Sequence, residues 1–171
     1  TFGALLVGFL LTQVGVFYGN RWGRSPRPDE LVTASLKGLG ETYSLYHYTA
    51  GIPHLLAGPT GLWAVIPNSA AGKISFDVSK GRFRQKGGSI YMKIFGQDSV
   101  GRPESDAQYT ISDLKKWINK KASDINLPEP KAVVVFLNAK AEVDAQNAPI
   151  PAMHVEKLKD FIRKQPKGSI E

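Results

Sequence analysis

Apolar residues fall along the chain in three rhythms, and each rhythm predicts a different kind of element. The first twenty positions carry no charge, and the run Phe2-Gly3-Ala4-Leu5-Leu6-Val7-Gly8-Phe9-Leu10-Leu11 continues through Val14, Val16, Phe17 and Tyr18. Wound as a helix, 20 residues reach ~30 Å, the thickness of a bilayer's hydrocarbon core. The second rhythm is amphipathic. Pro28 suits a first helical turn, where its missing N–H costs nothing, and Asp29 and Glu30 favour the positive end of the helix dipole. Leu31, Val32, Leu36 and Leu39 then make a stripe that should stop near Gly38 or Gly40. Ile111, Leu114, Trp117 and Ile118 repeat that spacing, with Lys115, Lys116, Lys120 and Lys121 on the outer face, and Val155, Leu158, Phe161 and Ile162 mark a last helix.

The third rhythm belongs to strands. Residues 43–48 and 52–57 read as strands, and 62–66 as a buried central one that Pro67 ends. Residues 72–86 alternate through Ile74, Phe76 and Val78, turn near Lys80-Gly81 and return through Phe83, a hairpin with one solvated face. Residues 90–95 add a strand, 96–104 a loop, and 132–137 the clearest buried strand, set off by Pro128-Glu129-Pro130 and followed by a polar loop with Pro149 and Pro151. The order predicts an α/β chain: a transmembrane helix over 1–20, a basic juxtamembrane linker over 21–28, a domain over 29–165 with one mixed sheet flanked by helices, and a frayed tail over 166–171.

Charge strengthens the membrane expectation. Tyr18 and Trp22 fall where an interfacial aromatic belt lies, and Arg21, Arg24 and Arg27 follow with no acidic residue before Asp29. The positive-inside bias then places the C-terminal domain in the cytoplasm, on a single-pass anchor. A signal peptide would carry a basic stretch before the apolar run and a small-residue cleavage site after it, and neither is present. The chain opens on Thr1 without an initiator Met, which leaves room for further apolar segment upstream. Gly3, Gly8 and Gly15, with the polar pair Thr12 and Gln13, suit close approach of a partner helix; glycine is also simply common in membrane helices. Gly8, Thr12 and Gly15 are the packing candidates, which makes other membrane-protein subunits expected partners beside lipid.

Composition then narrows the chemistry. With 42% hydrophobic and 22% charged residues the bulk of the chain should fold. The absence of cysteine excludes disulfides, thiolate metal sites, iron–sulfur clusters and cysteine nucleophiles. A net charge of +7 favours an anionic neighbour, nucleic acid or phospholipid. Arg21, Arg24 and Arg27, with Lys73, Lys80, Arg82, Arg84 and Lys86, are the nucleic-acid or lipid-binding candidates, and the later stretch runs on to Lys93 with only Asp77 among it and Phe83 and Tyr91 interleaved. A solvated face, anionic lipid and nucleic acid stand in that order of preference. His47, His54 and His154 lie on separate elements and read as structural. No phosphate loop or nucleophile elbow occurs, and neither a metal nor a cofactor is expected.

The stretch Ile52-Pro53-His54-Leu55-Leu56-Ala57-Gly58-Pro59-Thr60-Gly61, the apolar strand after it, and Gly72-Lys73-Ile74 resemble the nuclease-related domain family, a relative of the restriction-endonuclease-like folds. The segment from Val133 to the last helix resembles its closing pattern. That resemblance implies a restriction-endonuclease-like mixed sheet between helices and, in an active member, a carboxylate pair holding a divalent metal and a lysine that positions water. Here Pro53 stands where the family has Asp, and Ile66 and Asn68 stand where it has Glu and Lys. Asp106 and Thr110, with Gln108 nearby, fall where it often has glutamines, and Asp29 or Glu30 matches its acidic position on the first helix. The expectation is a kept scaffold with lost chemistry: a non-catalytic accessory or scaffolding subunit of a larger membrane assembly. The alternative is a membrane-tethered nucleic-acid-binding protein or metal-dependent nuclease.

Overall fold

The computed structural model describes residues 2–23, 26–87, 99–125 and 127–168, and of 20–22 the backbone alone. The expected strand over 90–95, with Tyr91 and Lys93, and the candidate Arg24 lie outside the described residues, as do 169–171 of the tail and the side chain of Arg21.

Helix α1 (Phe2–Trp22) buries none of its 18-residue apolar window against the rest of the chain. It is long and apolar enough to cross a membrane. The chain then enters α2 (Pro28–Leu36), which stops before Gly38, whose φ of 77° only glycine adopts without strain.

Strands β1 (Ser44–His47), β2 (His54–Gly58), β3 (Gly61–Asn68), β6 (Lys131–Phe136) and β8 (Ala152–His154) form a five-stranded sheet in the order β1-β2-β3-β6-β8. The first three pair antiparallel, and β3, β6 and β8 run parallel. Helices cover both faces. Trp63, Val65, Val133 and Val135 pack with Val32 and Leu36 of α2 and with Leu158 and Ile162 of α4 (Leu158–Arg163). The alternate residues Leu62 and Ala64 meet Leu114 of α3 (Pro103–Lys121). Burial on both faces explains why β3 and β6 read as unbroken apolar runs.

Residues 72–86 form the expected hairpin, of β4 (Gly72–Asp77) and β5 (Arg82–Lys86), but it does not join the main sheet. A second, three-stranded sheet in the order β5-β4-β7 holds it, with β7 (Ala141–Asp144) parallel to β4. The expectation of one mixed sheet is corrected to two. β7 and β8 lie in a stretch read as polar loop: four and three residues are too few for period-2 alternation to rise above loop composition. Ile74, Phe83 and Ala141 close a third apolar cluster with Ile66, Val134 and Phe136, so the two sheets share one packed interior.

Two boundaries also move. Pro67 does not end β3. The β2 ladder stops at the pair His54 and Val65, so at Pro67 the β2 side carries no strand, and the missing N–H costs no ladder bond. Helix α3 starts at Pro103 rather than after the expected loop 96–104, because Pro at the first turn and Glu104 and Asp106 at the dipole's positive end favour a start there. On its stripe Leu114 is fully buried, while Trp117 remains 36% exposed.

The hairpin from β2 to β3 depends on an absent side chain. A Cβ on Gly58 would sit 2.3 Å from Cδ1 of the Tyr43 ring, which lies across that position. Gly58→Ala should therefore cost about 1–3 kcal/mol, the usual range for forcing an extra methyl into a packed site. Urea denaturation measures it, and in a Tyr43→Ala background the same substitution should cost markedly less; an equal cost in both backgrounds would assign the effect to the backbone.

Candidate functional site

Positions 53, 66 and 68 are the natural starting point, and each is occupied by a structural task. Pro53 precedes β2, and its carbonyl accepts from the Tyr48 N–H at 2.8 Å, closing the loop between β1 and β2. Ile66 is 7% exposed and packs in the interior between the sheets. Asn68 spends its amide on backbone: Oδ1 accepts from the Ala70 N–H at 2.9 Å and Nδ2 donates to the Val100 carbonyl at 3.0 Å. Among the described residues no group of three or more His, Asp or Glu side chains is placed to hold a metal ion.

The acidic pair on α2 is engaged with Arg27. Glu30 Oε2 accepts from the Arg27 N–H at 2.9 Å, Glu30 Oε1 lies 3.0 Å from Arg27 Nε, and Asp29 Oδ2 lies 3.4 Å from the same guanidinium. Arg27, one of the lipid- or nucleic-acid-binding candidates, thus closes the N-terminus of α2. On α3, Thr110 Oγ1 donates to the Asp106 carbonyl at 2.7 Å, a local back-bond. Burial, and then the Glu104 charge, push the Asp106 carboxyl above its ordinary value.

The structure brings together two histidines that the sequence separates by seven positions. The β1/β2 register sets His47 opposite His54, with Nδ1 to Nδ1 at 2.7 Å and the rings nearly perpendicular, at 85°. His47 Nε2 lies 2.8 Å from Thr33 Oγ1, and the Tyr48 ring lies 5.3 Å from that of His54. Tyr48 has a φ of 56°, so a bulky residue is held in the left-handed region beside the pair. His54 is fully buried.

Facing nitrogens at that distance share one proton, so the pair cannot be doubly protonated in this geometry. Burial pushes the His47 imidazole below its ordinary 6.5, and the Asp29 carboxylate opposes it. Thr33, His47 and His54 form a hydroxyl–imidazole–imidazole line. Thr33 sits inside α2, whose backbone N–H groups serve the helix, so the line holds a proton without offering an oxyanion hole. A pairing of the two strands across Gly51 would have found this contact from sequence. The third histidine stands apart at the end of β8, where its Nδ1 accepts from the Glu156 N–H at 3.4 Å.

The basic hairpin divides by face. Arg82, Arg84 and Lys86 alternate with Phe83 and Gln85, and cross-strand they oppose Asp77, Ser75 and Lys73. Arg84 Nε pairs with Asp77 Oδ2 at 2.7 Å, and Lys73 with Glu142 at 3.8 Å. The Ser79 hydroxyl above all, with the Lys80 N–H and Arg84, holds the Asp77 carboxyl below its ordinary value. Phe83 is 4% exposed and packs edge-on against Phe76, so it is not available to stack on a base. On α1 nothing lies within 4 Å of a Cβ built at Gly8 or Gly15. Thr12, expected to offer a hydroxyl to a neighbouring helix, donates it to the Gly8 carbonyl at 2.8 Å.

No family model, no curated protein and no solved structure matches the chain.

The histidine pair makes stability pH-dependent with a defined sign. Unfolded, His47 takes a proton near its ordinary 6.5; folded, it resists doing so. In that window the unfolded state binds more protons, so stability should fall as pH drops below about 6.5. The slope is at most about 1.4 kcal/mol per pH unit for one proton, and less for a ring partly open to solvent. Thermal unfolding of the wild type and of His47→Gln across that range should show the slope in the first and its reduction in the second.

Proposed function

We propose that the chain is a non-catalytic, membrane-anchored accessory or scaffolding subunit of a larger membrane assembly, built on a nuclease-related, restriction-endonuclease-like scaffold whose catalytic positions have been replaced. The observation that carries it is α1. Ten large apolar side chains between Phe2 and Tyr18 are each more than half exposed. Leaving such a side chain in water costs roughly 1.5–3 kcal/mol relative to burying it, so the helix requires a bilayer, a partner or both.

Support for the replaced site comes from the tasks that positions 53, 66 and 68 perform. Isoleucine cannot ligate a metal, and the Asn68 amide is committed to backbone. Support for the scaffold comes from a mixed sheet with helices on both faces and from the matching spacing of the Gly-Pro turn and Gly72-Lys73-Ile74. The cytoplasmic placement of the domain rests on Arg21 and Arg24 after the apolar run. An assembly role rests on the open flank at Gly8 and Gly15, where a second backbone can come close.

Alkaline extraction of membranes tests the anchor: the chain should stay in the pellet, whereas release by high salt alone would mean that charge, not apolar burial, holds it. In the same membranes, Gly8→Leu with Gly15→Leu should lower retention in the native-size complex after mild detergent while leaving insertion intact. Unchanged retention would remove the helix face from the assembly contacts.

The purified protein should show no magnesium- or manganese-dependent cleavage of DNA or RNA. Metal-dependent cleavage that vanishes on Asp29→Asn or Glu30→Gln would establish a relocated active site and sink the non-catalytic reading.

A further inference from the structure

We propose that the cleft between β5 and Arg102 is a binding site for the phosphate of an anionic phospholipid headgroup. This inference rests on the membrane-anchored reading above and adds a ligand and a place for it. The cleft is a cavity of about 230 Å³ lined by Arg82 to Lys86 of β5, Phe83 and Gln85 included, and by Gly101 and Arg102. Four cationic side chains around so small a volume repel one another, and an anion between them relieves that repulsion. Arg84 already answers Asp77. Among the described residues Arg82, Lys86 and Arg102 make no ion pair, although Asp77 lies across the strands from Arg82. Two of them are arginines, whose planar fork grips phosphate oxygens two at a time.

The cleft is built rather than accidental. Val100, two residues before Arg102, is fixed at both of its backbone polar groups: its N–H donates to Gln85 Oε1 at 3.1 Å and its carbonyl accepts from Asn68 Nδ2 at 3.0 Å. Gln85 in turn donates from Nε2 to the Ala71 carbonyl at 2.8 Å. Val100 is itself 8% exposed and packs against the interior between the sheets. The backbone leading to Arg102 is thereby pinned against β5, so the cations from two separate stretches of chain are brought together before any ligand arrives.

Two observations favour lipid over a polynucleotide. Phe83 lines the cleft but is 4% exposed and packed edge-on against Phe76, so among the described residues no ring there is open for a base to stack on. The same sheet face carries Asp77 directly opposite Arg82, with Glu142 and Asp144 farther across the sheet, which interrupts any track for a continuous phosphate backbone but leaves room for one compact headgroup at Lys86 and Arg102. The tether adds proximity. Only residues 23–27 separate α1 from α2, a reach of at most about 18 Å, so the domain is held near the interface where headgroups are concentrated.

The chain has no cysteine, so a single Val78→Cys at the exposed turn between β4 and β5 takes one fluorescent label. The labelled full chain is reconstituted in phosphatidylcholine vesicles with or without phosphatidylserine, each carrying a headgroup-nitroxide quencher. Quenching should rise in the anionic vesicles. In Arg82→Gln/Lys86→Gln/Arg102→Gln the anionic-minus-neutral difference should shrink by at least tenfold, since each cation contributes about fivefold at an anionic surface. Equal quenching in both vesicle types, or a difference that survives the triple substitution, would overturn the cleft as the site. Loss of the difference on adding a single-stranded oligonucleotide at matched ionic strength, with no loss on adding inorganic phosphate, would overturn lipid as its ligand. Flotation after an alkaline wash is scored separately: a chain that washes off but keeps the substitution-sensitive difference retains the cleft and loses the anchor.

Discussion

Everything in the domain hangs on the two-sided burial of β3 and β6. Val65, Val133 and Val134 are wholly inaccessible, and their neighbours along each strand point alternately to α2 and α4 on one side and to α3 and the second sheet on the other. A parallel pair can be covered on both faces only if its connection crosses over, and α3 is that crossover. Fixing the pair therefore fixes where α3 lies. It also fixes which end of the pair opens toward β4, and so which residues meet at the junction of the two sheets.

Asn68 stands at that junction and shows how one amide side chain ties separate stretches of backbone together. Its side chain reaches the Val100 carbonyl while the Leu137 N–H donates to its own carbonyl, so one residue ties β3, the end of β6 and the approach to α3. A lysine at this place would bring three donors and a charge, whereas the site needs one donor and one acceptor for two backbone groups. An amide supplies both. The neutral amide thus fixes the loop through the Val100 carbonyl, and the loop carries Arg102 to the cations of β5.

Legibility in the sequence followed the length and composition of each element. The apolar helix, α2, the run that became β3, the hairpin 72–86 and β6 were readable because each has either a long unbroken apolar run or a clear period. β7 and β8 were not, since seven residues in two pieces carry too little alternation, and β7 is what draws the hairpin into its own sheet. Pro67 misled because its cost depends on which edge of the strand lacks a partner, a fact of pairing that no local pattern records. The histidine contact also turns on register, but there pairing 43–48 with 52–57 across Gly51 already sets His47 opposite His54. Phe83, grouped with the cations by position alone, was a case where period 2 already contained the answer.

A domain carrying so many lysines and arginines beside an apolar helix has two ways to relate to a membrane, through the helix and through its own surface. These are physically distinct. The helix is held by burial of hydrocarbon, which salt leaves almost untouched, while surface cations act within a Debye length and weaken with ionic strength. The structure separates the contributions by spending some cations internally. Arg27 closes α2, Arg84 answers Asp77, and Lys115 bonds Glu129 at 2.6 Å, so these do not add to the field outside. The net charge of +7 is thus concentrated in fewer places than composition suggests. One such concentration stands between β5 and Arg102. Were α1 inserted in a bilayer, the five residues between it and α2 would keep the domain within about 18 Å of it, and even a weak surface attraction would be strengthened by proximity, as any second contact on a short linker is. In that arrangement surface charge would control the orientation of the domain rather than the attachment of the chain.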